Sequence, residues 1–315
     1  MKDLFDWVAA VHPSAAGGEW EPVNHGGSDR QFWRGRGHAA GLIAVFYGPE
    51  KAENSRYAHC ADFLHQHGVR VPAVLAHDEG WRRLLMEDAG TEDLWSHRHE
   101  SWEVRRDLYT KTLAETAKMH ALDLAQAEAG HVLREPFDAG LYRWEQDYFF
   151  DNFLGAESSA PWRAAVPFDA QADELAAQPR VLVHRDLQSQ NVMVHGGEVT
   201  LIDFQGMRAG LAGYDVASLL YDPYVTMTAE ERSELSTIYA GLAGRTDLAA
   251  WDEELRAGAR QRLMQALGAY GFLGKTKGKT AFLAHIPPAA ERLAVLCEAE
   301  PAWQPLAAGI RAAAR

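Results

Sequence analysis

The chain has 315 residues, 47% apolar and 24% charged, a composition that allows a substantial globular core. Its formal net charge of −13 argues against nucleic acid as a general partner, because binding a phosphate backbone needs clustered cations. Only Cys60 and Cys297 occur, far apart, which excludes a disulfide framework or a metal knuckle and makes a reducing cytoplasm the expected compartment.

No apolar run approaches the ~20 residues that a membrane-spanning helix needs. Residues 1–11 carry acids where a signal peptide needs bases, and Phe5, Val8 and Ala9 suit a short amphipathic helix. Residues 19–49 read as β-rich. Within them Gly26-Gly27-Ser28-Asp29-Arg30 is a glycine-rich turn ahead of an aromatic strand, and residues 42–47 form a strong apolar strand. Residues 52–67 read as one helix with the stripe Tyr57, Cys60, Ala61, Leu64 and His67, closed by Gly68. Residues 72–86 read as strand, turn, strand, and residues 84–90 as a hinge. The expected division is a β-rich N-terminal lobe over 1–90 and a mostly helical lobe over 91–315.

From Thr91 onward helices dominate. Trp102, Tyr109, Leu113, Ala117 and His120 recur at helical spacing over residues 101–127, with His120 on the apolar side as a buried, hydrogen-bonded residue. Residues 141–153 are unusually aromatic. As an amphipathic core helix they would turn Trp144 and Tyr148 inward and Arg143 and Asp147 outward. The same mixture of aromatic faces and a few polar groups also lines ligand sites.

The richest stretch runs from His184 to Asp203. Val181-Leu182-Val183 and Val192-Met193-Val194 are short β-branched runs, and Gly196-Gly197 signals a tight hairpin because both glycines accept positive φ. His195 then faces Glu198, and Asn191 falls opposite Ile202 or, with a longer loop, Asp203. Asp186 lies on the loop entering this hairpin. One amide and two carboxylates therefore converge at one mouth of a small sheet. Such oxygen donors suit Mg²⁺ carrying nucleotide phosphates, with Asn191 and Asp203 as ligands and Asp186 left to take a proton from a hydroxyl.

At His184-Arg185-Asp186-Leu187-Gln188-Ser189-Gln190-Asn191 and Asp203-Phe204-Gln205 the sequence resembles the kinase-like small-molecule phosphotransferases, the aminoglycoside phosphotransferase superfamily. With Tyr214-Asp215-Val216-Ala217-Ser218 to Tyr224 it is most similar to bacterial anomeric kinases for N-acetylmuramate and N-acetylglucosamine in cell-wall recycling. The resemblance implies an α+β, protein-kinase-like bilobal fold, ATP and Mg²⁺ as cofactors, and a small amino-sugar acceptor. It implies that Ser28, Asp29 and Arg30 lie over the nucleotide phosphates, that the hinge reads adenine through residues 87–89, with Glu87 and Ala89 as contacts, and that His184 and Asp215 brace the catalytic loop. It points to Arg143, Glu145 and Tyr148 as sugar-site residues. Asp222 reads either as a helix-end solvent contact or as a substrate contact, and Asp215 also reads as a helix cap.

The main departure from kinases is the strand over 42–47, which lacks the lysine that holds the phosphates. Lys51, Arg34 and Arg30 are the nearest cations, and Lys51 is the candidate that reaches the phosphates from the following helix. Gly274-Lys275-Thr276-Lys277-Gly278-Lys279-Thr280 is not a P-loop, because three residues separate its glycines where four are required. It reads as a basic surface loop before a helical C-terminus. The alternatives are an aminoglycoside or another hydroxylated metabolite as acceptor and, given the missing lysine, a non-catalytic nucleotide-binding protein.

Overall fold

The computed structural model describes residues 2–23, 30–49 and 54–314. An antiparallel sheet forms from β1 (Glu19–Val23), β2 (Gln31–Arg36), β3 (Leu42–Phe46), β4 (Val74–Asp78) and β5 (Arg83–Glu87), in the spatial order β1-β2-β3-β5-β4. Central β3 is apolar throughout because both of its faces are covered. Leu42 and Ala44 pack with Leu4 and Val8 of α1 (Lys2–Val11), and with Trp33 and Leu85. Ile43 and Val45 face the other way, into the main core beneath α2 (Tyr57–Gln66).

Helix α2 buries Tyr57, Cys60, Ala61 and Leu64 as the stripe requires. Its last expected member, His67, is exposed instead. The helix stops one residue earlier, and Gly68 takes the left-handed turn at φ 75°.

The chain leaves the sheet at β5, where an arginine holds the exit. Arg34 of β2 donates from Nε and Nη2 to the Asp88 carboxylate at 2.6 and 3.1 Å, and from Nη2 to the Gly90 carbonyl at 2.6 Å. The pair is about 85% buried on both sides (15% and 13% exposed). Replacing Arg34 by Gln leaves a largely buried carboxylate without its cation. The expected loss is about 2 kcal/mol of unfolding free energy, read from urea titrations monitored by fluorescence.

Beyond the hinge, β6 (Glu92–Asp93) pairs with β8 (Val192–His195), which forms a hairpin with β9 (Glu198–Leu201). Strand β7 (Val181–Val183) pairs separately with β10 (Arg208–Gly210). The helix expected over 101–127 is two helices. Ser101 caps α3 (Trp102–His120) by accepting the Val104 amide, and Asp123 starts α4 (Leu124–Ala129) by accepting the Ala125 amide.

Around the hairpin lie α5 (Ala139–Phe149), α6 (Ser159–Ala165), α7 (Phe168–Ala177), α8 (Ala212–Leu220), α9 (Ala229–Leu242), α10 (Leu248–Gly271), α11 (Ile286–Glu298) and α12 (Gln304–Ala313). Helices α8 and α10 approach unusually closely. A Cβ at Gly258 would come within 2.7 Å of the Gly213 backbone, and one at Gly213 within 2.7 Å of the Glu254 carbonyl. This contact sets residues further along α10 against α8, beside the loop that leads into the β8–β9 hairpin. Residues 272–276 form a π-helical turn after α10, so the basic segment begins helical rather than as a loop. Lys275 to Thr280 is exposed, as a surface segment should be. Among the described residues no helix is long and apolar enough to cross a membrane.

Candidate active site

The hairpin closes in the tight register. Gly196 and Gly197 have φ of 58° and 78°, a two-residue turn that only a run of φ-positive residues makes. His195 pairs with Glu198 and Val192 with Leu201, and the Ile202 amide donates to the Asn191 carbonyl at 3.0 Å. Asn191 therefore stands opposite Ile202, one residue from Asp203. Asp203 is left-handed at φ 64°, ψ 31°, a conformation that Asp tolerates better than most residues. The turn ends the strand and drops Phe204 into the core, with its ring 4.8 Å from Tyr57 of α2.

The loop before the hairpin hangs on one buried acid. Asp215 accepts the His184 amide at 2.5 Å and the Arg185 amide at 2.8 Å, one on each oxygen, and His120 Nε2 lies 3.1 Å from Oδ2. His120 Nδ1 is in turn 2.6 Å from the Tyr239 hydroxyl. His120 is thus the buried, bonded histidine expected. Asp215 is not a helix cap: Leu211 holds that position, and Asp215 sits inside the first turn of α8, facing the loop. His184 Nε2 lies 2.9 Å from the Ile202 carbonyl, which ties the loop to the far strand of the hairpin.

Asp186 is about one-third exposed (36%), with an arginine beside each oxygen: Arg262 Nη2 is 3.6 Å from Oδ1 and Arg185 Nη1 is 3.8 Å from Oδ2. The Asp186 carbonyl accepts Asn191 Nδ2 at 2.8 Å and the Gln188 amide at 2.9 Å. Because the Asn191 nitrogen donates inward, its side-chain oxygen is the atom left for a cation. Asp203 Oδ1 receives Arg30 Nη2 at 2.5 Å and Gln205 Nε2 at 2.9 Å. Burial pushes the Asp203 carboxyl up, but Arg30 and Gln205 outweigh it and hold the group below the usual carboxylate range. Among the described residues no cluster of three or more His, Cys, Asp or Glu forms a self-contained metal site. One amide oxygen and one stably ionised carboxylate instead fit Mg²⁺ that completes its shell with phosphates and water.

Of the other sequence candidates, Ser28, Asp29 and Lys51 lie outside the described residues. Arg30 does reach the hairpin, on Asp203. In the hinge the Glu87 and Asp88 amides are taken by the Ala73 and Gly41 carbonyls, both at 2.9 Å. Arg34 is tied to Asp88 and Gly90 and is not a phosphate ligand.

The acceptor candidates divide. Arg143 pairs at 2.6 Å with Asp173 of α7, on the outside of the bundle. Glu145 is 3% exposed, with its oxygens accepting the Tyr214 hydroxyl and Gln261 Nε2, both at 2.9 Å, and burial pushes its carboxyl up. It underlies the site and has no face for a substrate. Asp222 is also buried. Its Oδ2 accepts the Ser189 amide and hydroxyl at 2.8 and 2.5 Å, and its Oδ1 accepts the Tyr224 amide at 3.0 Å. Burial outweighs these bonds and raises its pKa. It braces the loop that enters the hairpin through Ser189, and its burial leaves it neither a solvent contact nor a face for a substrate. Tyr148 stays half-exposed and stacks on Trp144 with centroids 5.3 Å apart and planes 9° from parallel. Trp144 itself is 54% exposed, against the inward reading. The buried face of α5 is Tyr142, Glu145, Gln146 and Phe149, set by the polar contacts of Glu145 and Gln146 inside the bundle.

A small antiparallel sheet over a helical bundle, joined by a hinge and carrying this hairpin, defines the protein-kinase-like class of phosphotransferase folds. The profile of the phosphotransferase enzyme family matches residues 19–268, and the chain belongs to that family: a small-molecule kinase acting on a hydroxyl group. Among curated relatives, the N-acetylmuramate/N-acetylglucosamine kinase of Pseudomonas aeruginosa is 25% identical over 280 residues, 84% of this chain and 80% of that one. Its namesake in Neisseria meningitidis is 29% identical over 70% and 68%. Among solved structures, a choline/ethanolamine kinase family protein from Mesorhizobium loti superposes with a TM-score of 0.64 at 18% identity over 99% of both chains. The ternary complex of streptomycin and ATP with the phosphotransferase APH(2")-IIa superposes at 0.63, with 13% identity over 90% and 96%.

Proposed function

We propose that the protein transfers the γ-phosphoryl group of ATP to the anomeric hydroxyl of N-acetylmuramate or N-acetylglucosamine. The reading rests on the hairpin that gathers Asp186, Asn191 and Asp203, in a chain whose curated relatives are named N-acetylmuramate/N-acetylglucosamine kinase. Asp186 accepts the proton of the acceptor hydroxyl as its oxygen bonds to phosphorus, and the bond to the β–γ bridging oxygen breaks to release ADP. Asn191 Oδ1 and Asp203 would hold Mg²⁺, which neutralises phosphate charge when bound. The division of labour is residues 1–90 for the nucleotide, with Arg30 and the Ala89 amide as contacts, and residues 91–315 for catalysis and the acceptor. The acceptor lies against the exposed Trp144–Tyr148 stack, since aromatic faces suit the apolar face of a pyranose. A cytoplasmic site of action follows from the use of ATP.

The test is a panel of free amino sugars, choline and aminoglycosides incubated with ATP and followed by phosphorus NMR. The expected product is a sugar phosphate whose phosphorus couples to H1. Transfer to choline or an aminoglycoside, with none to either sugar, would replace this reading.

A further inference from the structure

Resting on Asp186 as the base, we propose that Arg262, from the middle of α10, is the positioning residue that aims the Asp186 carboxylate at the acceptor. Nothing in the catalytic loop's own sequence announces it. Its side chain is 12% exposed, and the guanidinium is met on three sides. Nε donates to Ser218 Oγ of α8 at 2.9 Å, Nη1 donates to Gln265 Oε1, and Nη2 faces Asp186 Oδ1 at 3.6 Å. The close glycine contact between α8 and α10 lies one turn earlier on α10, so Arg262 comes from a rigid junction rather than a loop.

The spacing matters. At 3.6 Å the contact is an ion pair and not a hydrogen bond, as is that of Arg185 at 3.8 Å. The two cations hold the direction of the Asp186 carboxylate while leaving its lone pairs for the acceptor's proton. Arg185 sits in the left-handed region at φ 80°, held by the Asp215 bond to its amide, so the two arginines flank the carboxylate from separately anchored backbones.

The groups facing Asp186 are Arg185 on its own loop, Arg262 on α10, and the buried Glu145 and Tyr214 behind the arginines. Removing Arg262 frees one side of the carboxylate, so its oxygens lose their aim at the acceptor while the nucleotide side of the hairpin keeps its contacts.

The experiment compares Arg262→Lys and Arg262→Gln with the parent, with acceptor and ATP varied separately. For Arg262→Gln, kcat falls about 10²-fold, as misplacing a reacting group does. KM for ATP stays unchanged, and Arg262→Lys restores most of kcat. A role in packing alone would lower stability and raise KM for ATP along with the fall in kcat, and a kcat equally low in Lys and Gln would mean that the cation does not aim the carboxylate; either result overturns the proposal. Asp186→Asn is run beside them. If it keeps full turnover, the base assignment fails, a result distinct from an unchanged kcat for Arg262→Gln in an enzyme that still depends on Asp186.

Discussion

Asp186→Asn lowers kcat by about 10³-fold, the scale of a lost general base, while ATP affinity stays within a factor of about two. The asymmetry follows from which contacts the side chain makes. Among the described residues the carboxylate accepts no backbone amide, and Arg185 and Arg262 lie beside it at ion-pair distance. The loop is shaped by other groups: the Asp186 carbonyl holds Asn191 and Gln188, and Asp215 holds the preceding amides. Exchanging one carboxylate oxygen for an amide nitrogen therefore leaves the hairpin, and with it the nucleotide side, in place. Asp203→Ala serves as the contrast. It removes the oxygen that Arg30 and Gln205 hold, so ATP affinity and its dependence on Mg²⁺ both fall. Calorimetry with ATP in the presence and absence of Mg²⁺ separates the two variants. Equal loss of nucleotide binding in both would place Asp186 among the metal's supports and not at the acceptor.

How much of this site the sequence makes readable depends on the distance over which a signal acts. The hairpin is local: two adjacent glycines between β-branched runs dictate a turn, and the turn dictates that Asn191 meets Ile202. Loop residues that interact through their own backbone were legible for the same reason. What a long-range partner does was not. Asp215 has a helical sequence position that reads as a cap, and its role appears only when α8 is seen against the loop. Asp222 looks like a polar helix end, yet folding buries it under Ser189. On α5 the 3.6-residue period admits more than one buried stripe. The buried hydrogen bonds of Glu145 and Gln146 select the one that turns Trp144 out, where aromatic character alone favoured turning it in. Arg262 carries no signal at all, because an arginine in a charged helix is ordinarily solvated.

The missing strand lysine has a structural counterpart. Val45, on the face of β3 turned toward α2, lies wholly in the core, and Ile43 packs beside it, so this face of β3 presents apolar groups throughout. Positive charge reaches the hairpin from elsewhere: Arg30, just before β2, ends on Asp203, and Arg262 and Arg185 end on Asp186. These cations come from the residue ahead of β2, from a loop and from a helix, and they cluster at the hairpin in a chain whose overall charge is −13.

Asp215→Ala is the substitution with the largest expected cost to the fold, about 3–5 kcal/mol. Asp215 is fully buried (0% exposed), and its two oxygens serve the His184 amide, the Arg185 amide and His120. Removing it strands the buried His184 amide and the part-buried Arg185 amide, each a cost of roughly 1–3 kcal/mol, and takes from His120 its contact with the carboxylate while that with Tyr239 stays. The loss is not confined to stability. Arg185 keeps a left-handed backbone at φ 80°, an unfavourable conformation for a long side chain, and the bond from its amide to Asp215 is what holds it there. Once that bond is gone, Arg185 relaxes, its guanidinium leaves Asp186, and the carboxylate turns away from the acceptor. Chemical denaturation should therefore show a lower midpoint with an unchanged slope, and the fraction still folded at low temperature should show a lower kcat at saturating ATP and acceptor. Asp215→Asn, which keeps one acceptor oxygen, should fall between the parent and Ala in both measurements. If Asp215→Ala lost stability but its folded fraction kept the parent's kcat, the left-handed turn at Arg185 would be held by the rest of the loop, and the path from the buried acid to the base would be broken at that residue.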